Sequence, residues 1–212
     1  MTCAPSLGAA SGEAPAPPAA ACGAPDRREG DRYRTVWRIA KVAREGDAGL
    51  WRVRNMSNGG MMLAADVPVT VGERLEVELS DRIVLRGRIA WAKEGRCGVA
   101  FDTDIDVAEV LRQLAADQRA DRYRQPRLPV RMAARVVIEY RTIDIELVDL
   151  SQSGVGFVHD GCIEVGKEIE LVLASGVRRK AIVRWSRGTR AGAWLTQPLG
   201  RADLESVRRF EG

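Results

Sequence analysis

Asn55-Met56-Ser57-Asn58-Gly59-Gly60 returns 94 positions later, 55 against 149, as Asp149-Leu150-Ser151-Gln152-Ser153-Gly154. Both segments have the form Asx-x-Ser-x-x-Gly. An Asx side chain can bond the backbone two residues on, and a final Gly adopts backbone angles other residues avoid, so each reads first as a turn between strands. Average residue usage predicts about 0.1 such matches in a chain of this length, so one match is weak evidence and two in a common phase are strong. Other landmarks share the phase: Val71-Gly72-Glu73-Arg74-Leu75-Glu76 returns as Val165-Gly166-Lys167-Glu168-Ile169-Glu170, Trp91 as Trp185, and Gly98 as Gly192. A period that preserves a polar turn, a strand and a tryptophan marks two copies of one domain.

Working outward from the first hexapeptide, the spacing predicts a strand over 35–42 and a hairpin turn over 44–49, with Gly46-Asp47 at its tip. A returning strand over 50–54, the repeated turn over 55–60 and a strand from Met61 follow. Further strands are expected over 74–79, 83–92 and 98–101. Short strands divided by Gly and Asp suggest a small antiparallel barrel. Val107, Val110, Leu111 and Leu114 then fall at i, i+3, i+4 and i+7, which predicts a helix to about Arg119 that Asp104 or Asp106 could cap. The second copy predicts strands over 134–140, 143–148, 155–158, 168–173, 180–186 and 193–197, with a short terminal helix over 201–209. The expected fold class is mainly β: two tandem small antiparallel barrels, each followed by a short helix. Expected boundaries are a tail over 1–26, a first domain over 27–118 and a second over 119–212.

Composition narrows the function. The chain has 212 residues, 33 Lys and Arg against 29 Asp and Glu, a net charge of +4, and 5% aromatics. That charge is milder, and the aromatic share lower, than a surface built to bind a nucleic-acid polymer requires. The four cysteines form no C-x-x-C pair, and His159, read as a loop residue without a partner, is the only histidine, which argues against a zinc site or a redox pair. Reduced thiols in a cytoplasm are the simplest expectation, with Cys97 a small core residue. No stretch reaches the roughly 18 apolar residues of a membrane span, and residues 1–26 (rich in Ala, Pro, Gly and Ser) read as a disordered tail, not a secretory signal. Asp102, Asp104 and Asp106 sit where a helix cap is wanted, not where a hydrolytic pair would be. With no nucleophile–base set, phosphate-cradling glycine loop or metal cluster, the expectation is a protein that is not an enzyme and uses no cofactor or metal. Trp91 and Trp185 are expected to pack in the core or against a hairpin, and Trp37, Trp51 and Trp194 to be half-buried. Met61-Met62 is expected in the barrel interior.

The arginines ahead of the first barrel add a second signal. Arg27-Arg28-Glu29-Gly30-Asp31-Arg32 contains R-x-x-x-R as Arg28 and Arg32. An R-x-x-x-R entry, a two-strand hairpin and then D/N-x-S-x-x-G on a small barrel followed by a helix resembles the PilZ family, whose members are bacterial receptors for cyclic di-GMP. The resemblance covers both repeats, about residues 25–118 and 119–212, leaving out the N-terminal tail. It implies that Arg28 and Arg32, with Arg27 as a stacking neighbour, close over a ligand lying on Asn55, Ser57 and Gly60. Arginine suits that ligand, since a guanidinium can bond the O6 and N7 of guanine, stack on its face or clamp a phosphate. Asn55 stands where Asp is more frequent; it keeps the acceptor and loses the charge.

The second copy keeps Asp149, Ser151 and Gly154 but blurs the arginine pair. Arg122 matches Arg28 by phase, while Pro126 falls opposite Arg32. Either Arg122 and Arg127 serve, with one extra residue between them, or Arg127 and Arg131 do, with Arg131 inside or beside the following strand. The resemblance thus implies a cytoplasmic receptor for cyclic di-GMP, binding first on the N-terminal copy. It would couple the second messenger to a protein partner in motility, pilus or exopolysaccharide control. The alternative is a non-binding interaction scaffold of the same family.

Overall fold

The computed structural model describes residues 38–119 and 126–210. The first half contains β1 (Arg38–Arg44), β2 (Asp47–Ser57), β3 (Gly60–Ala64), β4 (Arg74–Ser80), β5 (Ile83–Lys93), β6 (Arg96–Phe101) and α1 (Val107–Arg119). The second half repeats the strands as β7 (Leu128–Ile138), β8 (Arg141–Leu150), β9 (Gly154–His159), β10 (Glu168–Leu173), β11 (Arg178–Arg187) and β12 (Arg190–Leu195). Each set closes into an antiparallel barrel, in the orders β1-β2-β3-β6-β5-β4 and β7-β8-β9-β12-β11-β10. Pairing of Val42 with Val77 closes the first, and of Val136 with Leu171 the second. Closure leaves no sheet edge open to another chain.

Period-two burial produces the two cores. Along β7, Leu128, Val130, Met132, Ala134 and Val136 are buried while the residues between them face outward. The first core gathers around Val53, Met56, Leu63, Val77, Ile89, Cys97 and Val99, and Val107 and Leu114 of α1 close one end of it. The second gathers around Leu147, Phe157, Leu171, Val183 and Leu195. Burial, with the Glu73 charge, pushes the Cys97 thiol up to about 11, outweighing Arg44, as suits an inert core cysteine. Met61 points inward, whereas Met62 is only partly buried.

The Val-Gly landmark before β4 and β10 has a backbone cause. Gly72 and Gly166 have φ of 87° and 86°, a region strained for any residue with a side chain. In that pose their amides donate to Ile89 O at 2.7 Å and Val183 O at 2.8 Å, fixing the strand entry.

Several sequence expectations need correction. The hexapeptides are not turns throughout. Asn55 to Ser57 complete β2 and leave only Asn58 and Gly59 in the turn, while Asp149 and Leu150 complete β8. Asn58 also serves α1: its Oδ1 accepts the Val107 amide at 3.3 Å, while Asp106 Oδ1 accepts the Glu109 amide at 3.0 Å. His159 is the last residue of β9, buried, with Nδ1 2.8 Å from Gly161 O. Trp91 and Trp185 are 43% and 41% exposed, so they lie on the barrel surfaces and outside the cores, while Trp194, 46% exposed, is half-buried as expected. Trp51 is fully buried, and Trp37 lies outside the described residues.

The terminal helix expected over 201–209 is replaced by two single-turn 3-10 helices, Asp203–Glu205 and Val207–Arg209, separated by Ser206 in an extended conformation. The first barrel captures the backbone groups a helix would need. Val207 N–H donates to Asp47 Oδ1 at 3.1 Å, Ser206 Oγ donates to Asp47 Oδ2 at 2.8 Å, and Glu205 O accepts from Trp51 Nε1 at 2.8 Å. The Glu205 carboxylate accepts the Asp66 amide at 2.7 Å. Leu50 of β2 joins the apolar cluster of the second barrel together with Leu204 and Phe210. The C-terminus therefore latches the two barrels together.

Asp47 is the ionic centre of the latch. Burial opposes its charge, but hydrogen bonds from Arg44 and Ser206, the Arg44 charge and the Ala48 amide outweigh that, holding the carboxyl below its ordinary value of 3.8. A depressed carboxylate contributes stability that is present above 3.8 and lost as pH falls through its folded value. Acid titration of the wild type followed by Trp51 fluorescence is expected to show latch loosening below about pH 4, and Asp47→Asn should abolish that step.

Candidate functional site

Of the three register shifts in each barrel, two lie on the face that carries the repeated motif and the tryptophan. In the second barrel, strand register shifts between Leu147 and Asp149 and between Val183 and Trp185; in the first, it shifts between Val53 and Asn55 and between Ile89 and Trp91. A bulge adds one residue and re-aims the side chains after it. Here it turns Asp149 and Trp185 toward a common surface.

That surface has a glycine floor. Asp149 pairs with Gly156, Gly156 with Gly192, Gly192 with Trp185, and Gly154 with Trp194. The side chains flanking the floor lie across it. A Cβ on Gly156 would sit 2.4 Å from Asp149 Oδ2, and one on Gly192 would sit 2.2 Å from Trp185 Nε1. Only residues without a Cβ let a carboxylate and an indole lie this close to the backbone.

Above the floor is an open cavity of about 600 Å³, lined by Arg127, Asp149, Ser151, Gly154, Arg184, Trp185 and Trp194 among others. The Arg127 guanidinium forms an ion pair with the Asp149 carboxylate. Ser151 is buried, and its Oγ donates to Gly154 O at 3.1 Å while its amide donates to the same carbonyl at 2.8 Å. Its hydroxyl therefore locks the turn. The arrangement combines a flat floor, an aromatic wall, a carboxylate acceptor and a guanidinium, which suits a planar base bearing N–H donors and an attached phosphate.

The first barrel presents the same scaffold with different fittings. Ser57 Oγ donates to Gly60 O at 3.2 Å, and a Cβ on Gly98 would sit 2.0 Å from Trp91 Nε1. Asn55 pairs with Met62, however, and Gly60 with Ala100. Methionine thus replaces the floor glycine opposite the Asx residue. The entry arginines Arg27, Arg28 and Arg32 lie outside the described residues, as do Arg122 and Arg124. Of the second-copy alternatives, Arg127 reaches the cavity, whereas Arg131 is an exposed residue of β7.

Sequence reasoning singled out Arg127, Asp149, Ser151 and Gly154, which the fold brings together. It missed Gly156, Arg184 and the role of Trp194. Strand alternation places Gly154 with Gly156, and Gly192 with Trp194, on one face, and that was the available signal. Among the described residues, no group of His, Cys, Asp and Glu could hold a metal ion, and no helix is long and apolar enough to cross a membrane.

Comparison with known proteins follows the repeat. No curated protein matches the chain. Among solved structures, the PlzA protein of Borreliella burgdorferi in complex with c-di-GMP is 9% identical, with 87% of this chain and 95% of that one covered and a TM-score of 0.36. The Inhibitor of motility (MotI/DgrA) of Bacillus subtilis is 14% identical, covering 79% and 91% of the two chains with a TM-score of 0.34. The K. pneumonia MrkH–c-di-GMP complex is 12% identical, covering 86% and 94% with a TM-score of 0.30. The PilZ domain model matches residues 26–117 and again residues 121–210, each match spanning one barrel, and the chain belongs to the PilZ domain family as a tandem of two copies.

Proposed function

We propose that this protein is a cytoplasmic receptor for cyclic di-GMP that performs no chemistry on its ligand and passes the bound state to a protein partner. The observation that carries the proposal is the convergence of Arg127, Asp149, Gly154 and Trp185 on one cavity above a glycine floor. Cyclic di-GMP presents two guanines and two phosphodiesters. The Asp149 carboxylate is an acceptor for guanine N–H groups, and Trp185 offers a face for the base. Arg127 can leave its ion pair to hold a phosphate or the O6 and N7 edge. In the first barrel, Arg28 and Arg32, with Arg27, would close over Asn55 and Gly60 in the same way. Binding shifts the packing of the barrels only to the extent that the ligand prefers one arrangement. Control of motility, pilus or exopolysaccharide machinery is the output proposed.

Met62 in the floor of the first barrel favours a second reading for that copy alone, as a docking scaffold for the binding copy.

Calorimetric titration of the whole chain with cyclic di-GMP tests the proposal. Saturable binding is expected, with Asp149→Ala weakening the second-barrel site about tenfold or more, since charge-assisted hydrogen bonds contribute about 1.5–3 kcal/mol. Loss of part of the stoichiometry in Arg28→Ala would bring in the first barrel. A folded wild type that takes up no ligand would leave the scaffold reading in its place.

A further inference from the structure

Two residues lining the second-barrel cavity have no counterpart in the first barrel. Arg184 stands where the first copy has Ala90, and Trp194 where it has Ala100. Arg184 is the extra residue of the bulge between Val183 and Trp185. In a regular strand, consecutive side chains point to opposite faces. Here the bulge puts Arg184 and Trp185 on the outside together, and both line the cavity. Arg184 has no hydrogen bond or ion pair among the described residues, unlike Arg127 at the other wall, which Asp149 holds. Trp194 is 46% exposed and pairs with Gly154, the last residue of the repeated motif. Packing of the barrel requires neither residue: Ala90 and Ala100 complete the same strands in the first copy.

We propose that Trp194 and Arg184 form a base-stacking and phosphate-holding subsite that makes the second barrel the tighter nucleotide site of the chain. The inference rests on the receptor reading of the same cavity and deepens it. Trp194 adds a second indole beside Trp185, so a purine entering over the glycine floor meets aromatic surface along one wall. The exposed guanidinium of Arg184, unpaired among the described residues, is placed to engage a phosphodiester or the O6 and N7 edge of guanine, whereas Arg127 must first leave its ion pair with Asp149. The ligand class is a guanine nucleotide with a phosphodiester. Met62 and the two alanines leave the first barrel without these contacts.

The test is calorimetric titration of the full chain with cyclic di-GMP, comparing wild type, Trp194→Ala, Trp194→Phe and Arg184→Ala, with Asp149→Ala identifying the second-barrel site. Trp194→Ala is expected to weaken that site about tenfold or more, from base stacking alone, and Trp194→Phe to restore most of the affinity. Arg184→Ala should weaken it and flatten the dependence of affinity on salt, because one phosphate contact is lost. Arg184 is exposed and has no hydrogen bond or ion pair among the described residues, so its removal leaves the barrel intact and its result stands even if Trp194→Ala destabilises the barrel. If Arg184→Ala and Trp194→Ala bind as wild type, salt dependence included, while Asp149→Ala abolishes second-site binding, the subsite is wrong and the receptor reading survives. If the wild type binds nothing, both fail.

Discussion

Phe157→Ala is expected to destabilise the second barrel by about 3–5 kcal/mol, the range for removing a buried phenylalanine ring. Phe157 is fully buried in the middle of β9, paired with Leu147 on one side and Ala191 on the other. Its ring centroid is 6.0 Å from that of His159. Most of that core is aliphatic side chains held in closed strands, which cannot collapse into the space the ring leaves. Chemical denaturation followed by circular dichroism measures the loss. The effect should reach the site as well, because Phe157 sits next to Gly156 and anchors the strand that carries the glycine floor. Affinity for the nucleotide should fall with stability in Phe157→Ala, whereas Arg184→Ala should lower affinity alone. A Phe157→Ala protein as stable as the wild type would mean the second core is organised differently from this packing.

Gly49→Ala is expected to release the latch between the barrels. A Cβ on Gly49 would sit 2.0 Å from Glu205 O and 2.7 Å from Trp51 Nε1, inside the hydrogen bond that joins them. The obstacle on one side is backbone, so no rotamer change relieves it. The 3-10 turn at Asp203–Glu205 must move off β2, leaving the buried indole N–H of Trp51 without its acceptor, at a cost of about 1–3 kcal/mol. The Asp47 contacts to Ser206 and Val207 should loosen with it. Each barrel retains its own closed sheet, so the signature is separation without unfolding. Small-angle scattering should show a larger radius of gyration, limited proteolysis should gain a cut near residue 206, and far-ultraviolet circular dichroism should change little. Unchanged scattering would show that Leu50, Leu204 and Phe210 hold the barrels together without the latch.

Much of the fold was legible because local patterns and the tertiary answer agree. Alternation along β4 and the i, i+3, i+4 spacing of α1 appear as expected, whereas the first hairpin tip is Glu45-Gly46, with Asp47 already in β2 opposite Arg44, and β7 begins at Leu128, six residues ahead of the predicted strand. The repeat phase located Asp149 and Gly154 opposite Asn55 and Gly60. Bulges were not legible, because one unpaired residue leaves composition and alternation almost untouched while changing which side chains face out. Trp185 therefore read as a packing residue although it lines the cavity. Arg184 and Trp194 escaped notice for a different reason. Comparing the two copies highlights what they share, and these residues are where they differ. The terminal segment read as a helix because its apolar spacing permits one, and the first barrel then captured its backbone and carboxylate groups through Trp51, Asp47 and Asp66.

By itself the sequence determined that this protein is two copies of one small β domain. It also determined where the shared Asx-x-Ser-x-x-Gly surface lies, because hydrophobic period and turn chemistry act over a few neighbouring residues. Only the tertiary structure decided which arginine meets Asp149, that glycines 154, 156 and 192 form one floor, and that the chain's last turns fasten one barrel to the other. Those contacts join positions far apart in the chain, Arg127 with Asp149 and Trp51 with Glu205, and strand register with barrel closure alone brings such pairs within bonding distance.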